Sequence, residues 1–314
     1  MRMKSWVKGG LAVCITAMMA LPLTGCVVND EGGHPEGWTP VEVETVPEIA
    51  ALVPEDVAAD GILTYGTNPP FPPMEFKNSA GEIIGSDVDL AYAVGKVLGL
   101  EAKPVEQEFP LILPSISAGT VEFGASGFTD SEERRKNYDF VDYLTAGIQW
   151  AQQPGGNVDP DNACGLTVAV QRGTVSDTDD VARRSEECVA QGKPEIHKLA
   201  YESSDTAANA LVLGRVDVFS ADAPITAYAA ARADGRMEVI GDIFDAAYYG
   251  WAVKKGSDLA PALAQALQYL IETGKYEEIM GQWNLHDTLI EQSMINGEKV
   301  ELPPAVASKV SKEK

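Results

Sequence analysis

Positive charge is scarce in this chain. Lys and Arg together number 24 among 314 residues, against 47 Asp and Glu, for a net charge of −23. A surface this acidic repels phosphate backbones and anionic headgroups, which disfavours nucleic acid as a partner and leaves no basic patch to hold a membrane. Histidine is scarcer still: His34, His197 and His286 are scattered, without metal-ligand spacing. No Ser-His or Cys-His arrangement suggests nucleophilic catalysis. No P-loop is present, so no ATP site and no cofactor are expected.

Long apolar runs are confined to the N-terminus. Arg2, Lys4 and Lys8 precede an apolar stretch over residues 9–23, shorter than the roughly 20 residues of a spanning helix. It ends in Leu23-Thr24-Gly25-Cys26, which resembles a bacterial lipobox with Cys26 as the lipidated residue. Residues 1–25 therefore read as a lipoprotein signal peptide, whose removal takes away three positive charges and leaves a net charge of −26. Attachment to the extracytoplasmic face of the cell membrane would come from the lipid alone. Cysteine is also rare, at four residues. Cys14 lies in the leader. Cys164 and Cys188 are left as two buried thiols or, given an oxidising compartment, a structural disulfide.

What is present suits a globular α/β protein. Hydrophobic residues make up 45 % and charged residues 23 %, enough for two modest cores. Residues 26–60 are rich in Gly, Pro and Glu and read as a lipid-anchored linker, and residues 289–314 as a loose polar tail. Between them, strand-like and helix-like segments alternate. Strands are expected at 62–66, 102–107, 122–126 and 147–153, with helices at 86–98 and 111–118. After the break at Pro154-Gly155-Gly156-Asn157 a second βα series begins, with strands at 166–170, 195–201, 216–220, 238–241 and 248–253. Such alternation implies parallel sheets covered by helices, with ligands held beyond the carboxyl ends of strands.

Four clusters fall at those ends. The proline-dense loop Gly66 to Phe76 reads as stiff and extended, presenting Asn68 and Phe71. In Ser126-Gly127-Phe128-Thr129-Asp130-Ser131-Glu132-Glu133-Arg134, small residues let backbone N–H groups approach a ligand, and Arg134 offers a fork for a carboxylate. By local pattern alone Arg134 is one of a solvated trio with Arg135 and Lys136. Gln171-Arg172-Gly173-Thr174 before a helix is an anion-friendly terminus. Asp222 ends a strand, where it either pairs with an ammonium or caps the helix beginning near Pro224.

Six motifs in unbroken order over about residues 60–285 make the chain similar to the family 3 extracellular solute-binding proteins. The family's G-T-D-x-x-Y/F-x-P-F-E opening appears as Gly66-Thr67-Asn68-Pro69-Pro70-Phe71-Pro72-Pro73-Met74-Glu75, and its G-F-D-V/I-D-L-A helix start as Gly85-Ser86-Asp87-Val88-Asp89-Leu90-Ala91. Residues 127–134, 170–174, 217–222 and 274–283 carry the others. The resemblance implies a type II periplasmic-binding-protein-like α/β fold of two lobes joined by two crossover strands, near residues 149–154 and 246–253. Lobe 1 would comprise residues 61–152 and 249–288, and lobe 2 residues 153–248. It implies no catalysis, a monomer, and delivery of a free amino acid to an ABC permease and its ATPase.

By position, Arg134 would clamp the ligand carboxylate with Thr129 and the backbone of Thr174. Asp222 would take the ammonium with the Gly127 carbonyl. Phe71 and Phe109 would sandwich the side chain, and Asn68 and Gln171 would face its far end. Family members often carry an acid where Asn68 stands. Two neutral amides there point to a ligand with a neutral polar or small apolar side chain, such as glutamine or asparagine. Arginine or lysine would lack a counter-charge. A sensor, or a dehydratase-like enzyme on the same fold, is the alternative reading.

Overall fold

Apolar runs of four to six residues become strands, and the amphipathic segments between them lie as helices on the sheet faces. The structure, a computed structural model, describes residues 33–313, so the leader 1–25 and Cys26 lie outside the described residues. After two single-turn helices, α1 (Pro47–Ala50) and α2 (Glu55–Ala58), the chain forms β1 (Ile62–Thr67) and the short pair β2 (Phe76–Lys77) and β3 (Ile83–Ile84). Then follow α3 (Ser86–Leu98), β4 (Glu101–Glu106), α4 (Phe109–Ala118), β5 (Phe123–Gly124), α5 (Glu132–Arg135) and the long β6 (Tyr138–Gln152). A second series comprises β7 (Thr167–Gln171), α6 (Val181–Ala190), β8 (His197–Tyr201), α7 (Ser204–Val212), β9 (Val218–Asp222), α8 (Ala223–Arg232) and the long β10 (Glu238–Lys254). The last described elements are α9 (Leu259–Glu272), α10 (Lys275–Gln282), the hairpin β11 (Met294–Ile295) and β12 (Glu298–Lys299), and α11 (Pro304–Glu313).

The main sheet runs in the order β4-β1-β5-β10-β6-β9-β7-β8. β1 is parallel to β4 and β5, and β7 is parallel to β8 and β9. These parallel sets are the sheets of two lobes. β6 and β10, antiparallel to each other along their length, serve both. β10 joins the first lobe where Ala252 and Val253 pair with β5, and β6 joins the second where Ile148 to Ala151 pair with β9. The chain thus crosses between lobes twice. The β6–β10 register slips between Ile240 and Ala247, leaving the ladder least regular where it leaves one lobe for the other.

The crossing on β6 comes earlier than residues 149–154, because Ile148 already pairs with Asp222 of the second lobe. Residues 148–152 therefore belong to the sheet of lobe 2. Likewise 238–241 and 248–253 are one continuous strand. Charged and glycine positions such as Asp242 and Asp245 interrupt its apolar pattern, but pairing with β6 satisfies the backbone throughout most of its length.

α3 shows how local sequence fixes an element. Asp87 and Asp89 sit in its first turn and Lys96 in its last, matching the helix dipole. Leu90, Val94, Val97 and Leu98 are buried, and Gly99 at φ 72° closes it by donating to the carbonyls of Gly95 and Lys96. α4 begins two residues before the expected start, at Phe109, with Pro110 in its first turn and Pro114 in its interior. Cys164 and Cys188 are bonded, with Cα atoms 5.5 Å apart, tying the loop before β7 to α6.

Neither terminal segment is loose within the described residues. Ile49 is fully buried, and the Val46 N–H donates to the Val97 carbonyl at 3.0 Å. The indoles of Trp38 and Trp283 both donate to Asp89 Oδ2 at 2.8 Å, strapping residues 33–40 onto lobe 1. At the other end β11 adds to the edge of β6, and Val306 and Val310 of α11 are buried. Composition averaged over each segment conceals these few spaced apolar anchors among the prolines and glutamates.

Candidate functional site

The strand ends of both lobes meet at one seam. The loop after β1 does not run extended. With Pro69–Pro70 and Pro72–Pro73 both cis, it doubles back, and the Phe71 N–H donates to the Glu75 carbonyl at 2.6 Å. Asn68 is buried, its N–H donating to Ser126 Oγ at 3.2 Å and its Nδ2 to the Gln107 carbonyl at 2.8 Å. Phe71 packs on the backbone of Gly127. A Cβ there would lie 2.7 Å from Phe71 Cε1 and 3.0 Å from Tyr249 Cε2, and φ is +56°, so glycine is required on two grounds.

α5 is a single turn capped by Ser131 Oγ, which accepts from the Arg134 N–H at 3.3 Å. The basic trio separates. Lys136 pairs with exposed Glu133, Arg135 turns to buried Asp130, and Arg134 points into the seam. Arg134 Nη1 donates to the Thr129 carbonyl at 2.9 Å and Nη2 reaches across to the Gly173 carbonyl of the other lobe at 3.2 Å. Its guanidinium stands 5.6 Å from the Phe128 ring and 5.9 Å from that of Phe109, and those rings stack at 4.6 Å. Phe109 is thus partnered by Phe128, while Phe71 faces Gly127 and Tyr249. Burial draws the Arg134 pKa down and Asp222 opposes it; a guanidinium stays charged regardless.

Asp222 stands at the N-cap position of α8, yet its side chain makes no capping bond. It is buried, and burial pushes its pKa up to about 6 despite the neighbouring Tyr249 hydroxyl and Arg134, both of which lower it. Tyr249, on β10, lies beside it without a hydrogen bond of good geometry. No local signal in the sequence singles out Tyr249 or Phe128; only the pairing of Tyr249 with Leu144 and the stack on Phe109 bring them here.

A second interlobe contact joins the amides. Gln171 Nε2 donates to Asn68 Oδ1 at 2.8 Å and to the Glu202 carbonyl at 3.4 Å. Gln171 Oε1 and Gln107 Oε1 are buried acceptors without a partner among the described residues. The Thr174 hydroxyl donates to the Gln171 carbonyl at 2.8 Å and the Gly173 N–H to Asp177 Oδ2 at 2.8 Å. The anion-friendly turn is therefore already filled in part by the chain's own Asp177.

Beneath these loops lies a carboxylate floor formed by Asp87 and Glu75. Asp87 Oδ2 accepts from the Gly127 N–H at 3.1 Å and the Tyr143 hydroxyl at 2.8 Å, and burial lifts its pKa to about 6. Burial and Asp87 together hold the Glu75 carboxyl well above its ordinary range, and Ser126 donates to it. Both acids hold backbone of the two binding loops in place. A concavity of about 790 Å³ lies elsewhere, lined by His34, Phe76, Gln149, Tyr228 and Trp283; it includes none of the candidate residues named above.

Two α/β lobes spanned by paired crossing strands, with strand-end loops converging at the seam, define a type II periplasmic-binding-protein fold. Residues 63–286 match the bacterial extracellular solute-binding proteins, family 3, and the chain belongs to that family. It is 55 % identical over 276 residues to the arginine-binding protein ArgT of Corynebacterium glutamicum, covering 87 % of this chain and 91 % of that one. Among solved structures it resembles the P235GK mutant of ArgBP from T. maritima, with a TM-score of 0.65 and 28 % identity over 73 % of this chain and 98 % of the other. It also resembles the ancestral amino acid-binding protein AncCDT-1, a precursor of cyclohexadienyl dehydratase, with a TM-score of 0.64 and 28 % identity over 74 % and 99 %. Among the described residues no helix is long and apolar enough to cross a membrane.

Proposed function

We propose that this protein is the receptor of an amino acid ABC importer, with arginine as its ligand, and that it binds without catalysing a reaction. The observation that carries the reading is the approach of Arg134 from lobe 1 and Asp222 from lobe 2 at one buried seam. A zwitterion leaving water needs a charge-assisted partner at each pole, and these two supply them. Arg134 with Thr129 and the Thr174 backbone holds the carboxylate. Asp222 with the Gly127 carbonyl holds the ammonium. Phe71 and Phe109 flank the side chain, with Asn68 and Gln171 at its end. Arginine is favoured by the kinship with ArgT and by the unpartnered acceptors Gln171 Oε1 and Gln107 Oε1 beside Asn68, which suit the five donors of a guanidinium.

Glutamine is the second reading, favoured by the neutrality of Asn68 and Gln171. The lobes close about β6 and β10, and the closed form docks on a permease as a monomer anchored through lipidated Cys26. Calorimetry of residues 27–314 against the common amino acids tests the assignment. Tightest binding of arginine supports it, tightest binding of glutamine selects the second reading, and no binding of any amino acid overturns both. Turnover of a prephenate-like substrate would overturn the claim that it is not an enzyme.

A further inference from the structure

We propose that the C-terminal Asn-Gly hairpin, beyond the segment that matches the family, is a positioning element for the Arg134 clamp, acting through Asp142, Asp130 and Arg135. This rests on Arg134 being the carboxylate ligand. α5 has only four residues and buries none of them, so it cannot hold Arg134 in place by its own packing. Beside the Ser131 cap and the two carbonyls that Arg134 itself engages, the turn is held by Arg135, whose Nε and Nη2 both donate to Asp130 at 2.5 Å. Asp130 is buried and its N–H donates to the Tyr248 carbonyl at 2.9 Å, so this pair staples the turn to β10.

Asp130 is in turn set against Asp142 of β6, which is fully buried. A proton on Asp142 keeps a second buried negative charge away from Asp130. The second oxygen of Asp142 accepts the Gly297 N–H at 2.8 Å. The hairpin that delivers this N–H is specified locally: Asn296 and Gly297 have φ of 54° and 82°, the left-handed pair that a two-residue hairpin turn requires. Asn296 fixes it to β6, accepting from the Phe140 N–H at 2.9 Å and donating to Asp139 Oδ1 at 2.8 Å, while its own N–H donates to the Phe140 carbonyl at 2.9 Å. A Cβ on Gly297 would come within 3.5 Å of Arg135 Nη2, so the turn also abuts the guanidinium.

The charged groups facing Asp142 are Asp130 from the binding loop and Arg135 from α5. β10 contributes only Gly250, α9 the neutral Gln268 near Ser293, and Glu298 and Lys299 of the hairpin are exposed. Asp139 on the same strand is engaged by Lys255. Burial and Asp130 push the Asp142 pKa up to about 8. Asp142 is thus protonated at neutral pH and ionises as the pH rises through that value, which places a second buried negative charge against Asp130 and loosens the staple.

The test uses arginine as probe and residues 27–314, which contain every described residue, with calorimetry for Kd and stopped flow for dissociation. Gly297→Pro removes the N–H and cannot adopt the left-handed φ of 82°, so the turn and its contacts with Asp142 and Arg135 are lost together, which is expected to raise Kd about tenfold through faster release. Asp142→Asn keeps an acceptor for Gly297 and a donor for Asp130, so its Kd at pH 7 stays within about twofold of the parent while the weakening above pH 8 disappears. Val310→Ala, at a buried position of α11, is a control that lowers stability and leaves Kd unchanged. Equal Kd and release rate for Gly297→Pro and the parent, or an equal rise in Kd for Val310→Ala, overturns the proposal. Arg134→Ala, measured alongside, separates the cases: unchanged arginine binding in that variant means that the site assignment itself has failed.

Discussion

With Asp222 as the proposed partner of the ligand ammonium, affinity should depend on pH with a sign set by the raised pKa of this group. In the ligand-free protein burial raises its pKa from the ordinary 3.8 to about 6. An aspartate with a raised native pKa costs the folded state free energy wherever it is ionised. That cost is absent below the ordinary value and complete above about 6. The difference is worth about 3 kcal/mol. An ammonium brought against Asp222 supplies the missing counter-charge and draws the pKa back towards its usual range. Protons and ligand then compete for one carboxylate. Affinity should be flat from about pH 7 until Asp142 begins to ionise near pH 8, about tenfold weaker near pH 5 and about fiftyfold weaker near pH 4, following the gap between the free and bound pKa values of Asp222. Asp222→Asn should bind weakly at every pH and lose this slope. Asp87, whose pKa is also lifted to about 6, touches Gly127 and titrates in the same range, so the variant is needed to assign the effect. Calorimetry from pH 4 to 8 at fixed ionic strength reads it. An affinity that holds steady from pH 7 to pH 5, or a slope that persists in Asp222→Asn, would refute the reasoning.

Two further outcomes follow from packing. Replacing Cys164 and Cys188 together by Ser opens a loop of 24 residues and should cost about 3 kcal/mol, lowering the thermal midpoint by roughly 6–12 °C in a domain of this size while leaving Kd unchanged, since the bridge lies at the outer end of α6. Gly127→Ala places a Cβ against Phe71 and Tyr249 at a backbone angle of φ +56°, and is expected to weaken binding at least about tenfold; calorimetry and the thermal midpoint of the variant, read together, separate lost affinity from lost fold.

The βα alternation and its division into two lobes were legible in the residues because parallel strands buried on both faces, such as Val168-Ala169-Val170, read as short apolar runs. Arg134 and Asp222 were not legible on local grounds. One sits in a basic trio and the other at a helix cap, and only the motif order of the family lifted them above those readings. What escaped the sequence is what depends on distant partners. β6 and β10 hide their continuity because each changes lobe midway, so no single face stays buried. The strap at Trp38 and the hairpin at Gly297 are anchored by Asp89 and Asp142, which lie 51 and 155 residues away along the chain. The proline-rich loop misled in a different way, since proline fixes φ but leaves the X-Pro bond free to be cis.

The role of Arg134 is the claim on which the site stands, and a direct measurement is arginine binding to Arg134→Ala and Arg134→Lys at pH 7.5 by calorimetry. Removing the guanidinium leaves the ligand carboxylate buried and unpaired, a loss of about 3–5 kcal/mol, or a hundred- to several-thousandfold in Kd. Lysine keeps the charge without the fork and should recover part of that loss. The account predicts a Kd at least about a hundredfold higher for Arg134→Ala and an intermediate value for Arg134→Lys; an Arg134→Ala protein that folds and binds arginine as tightly as its parent would contradict it.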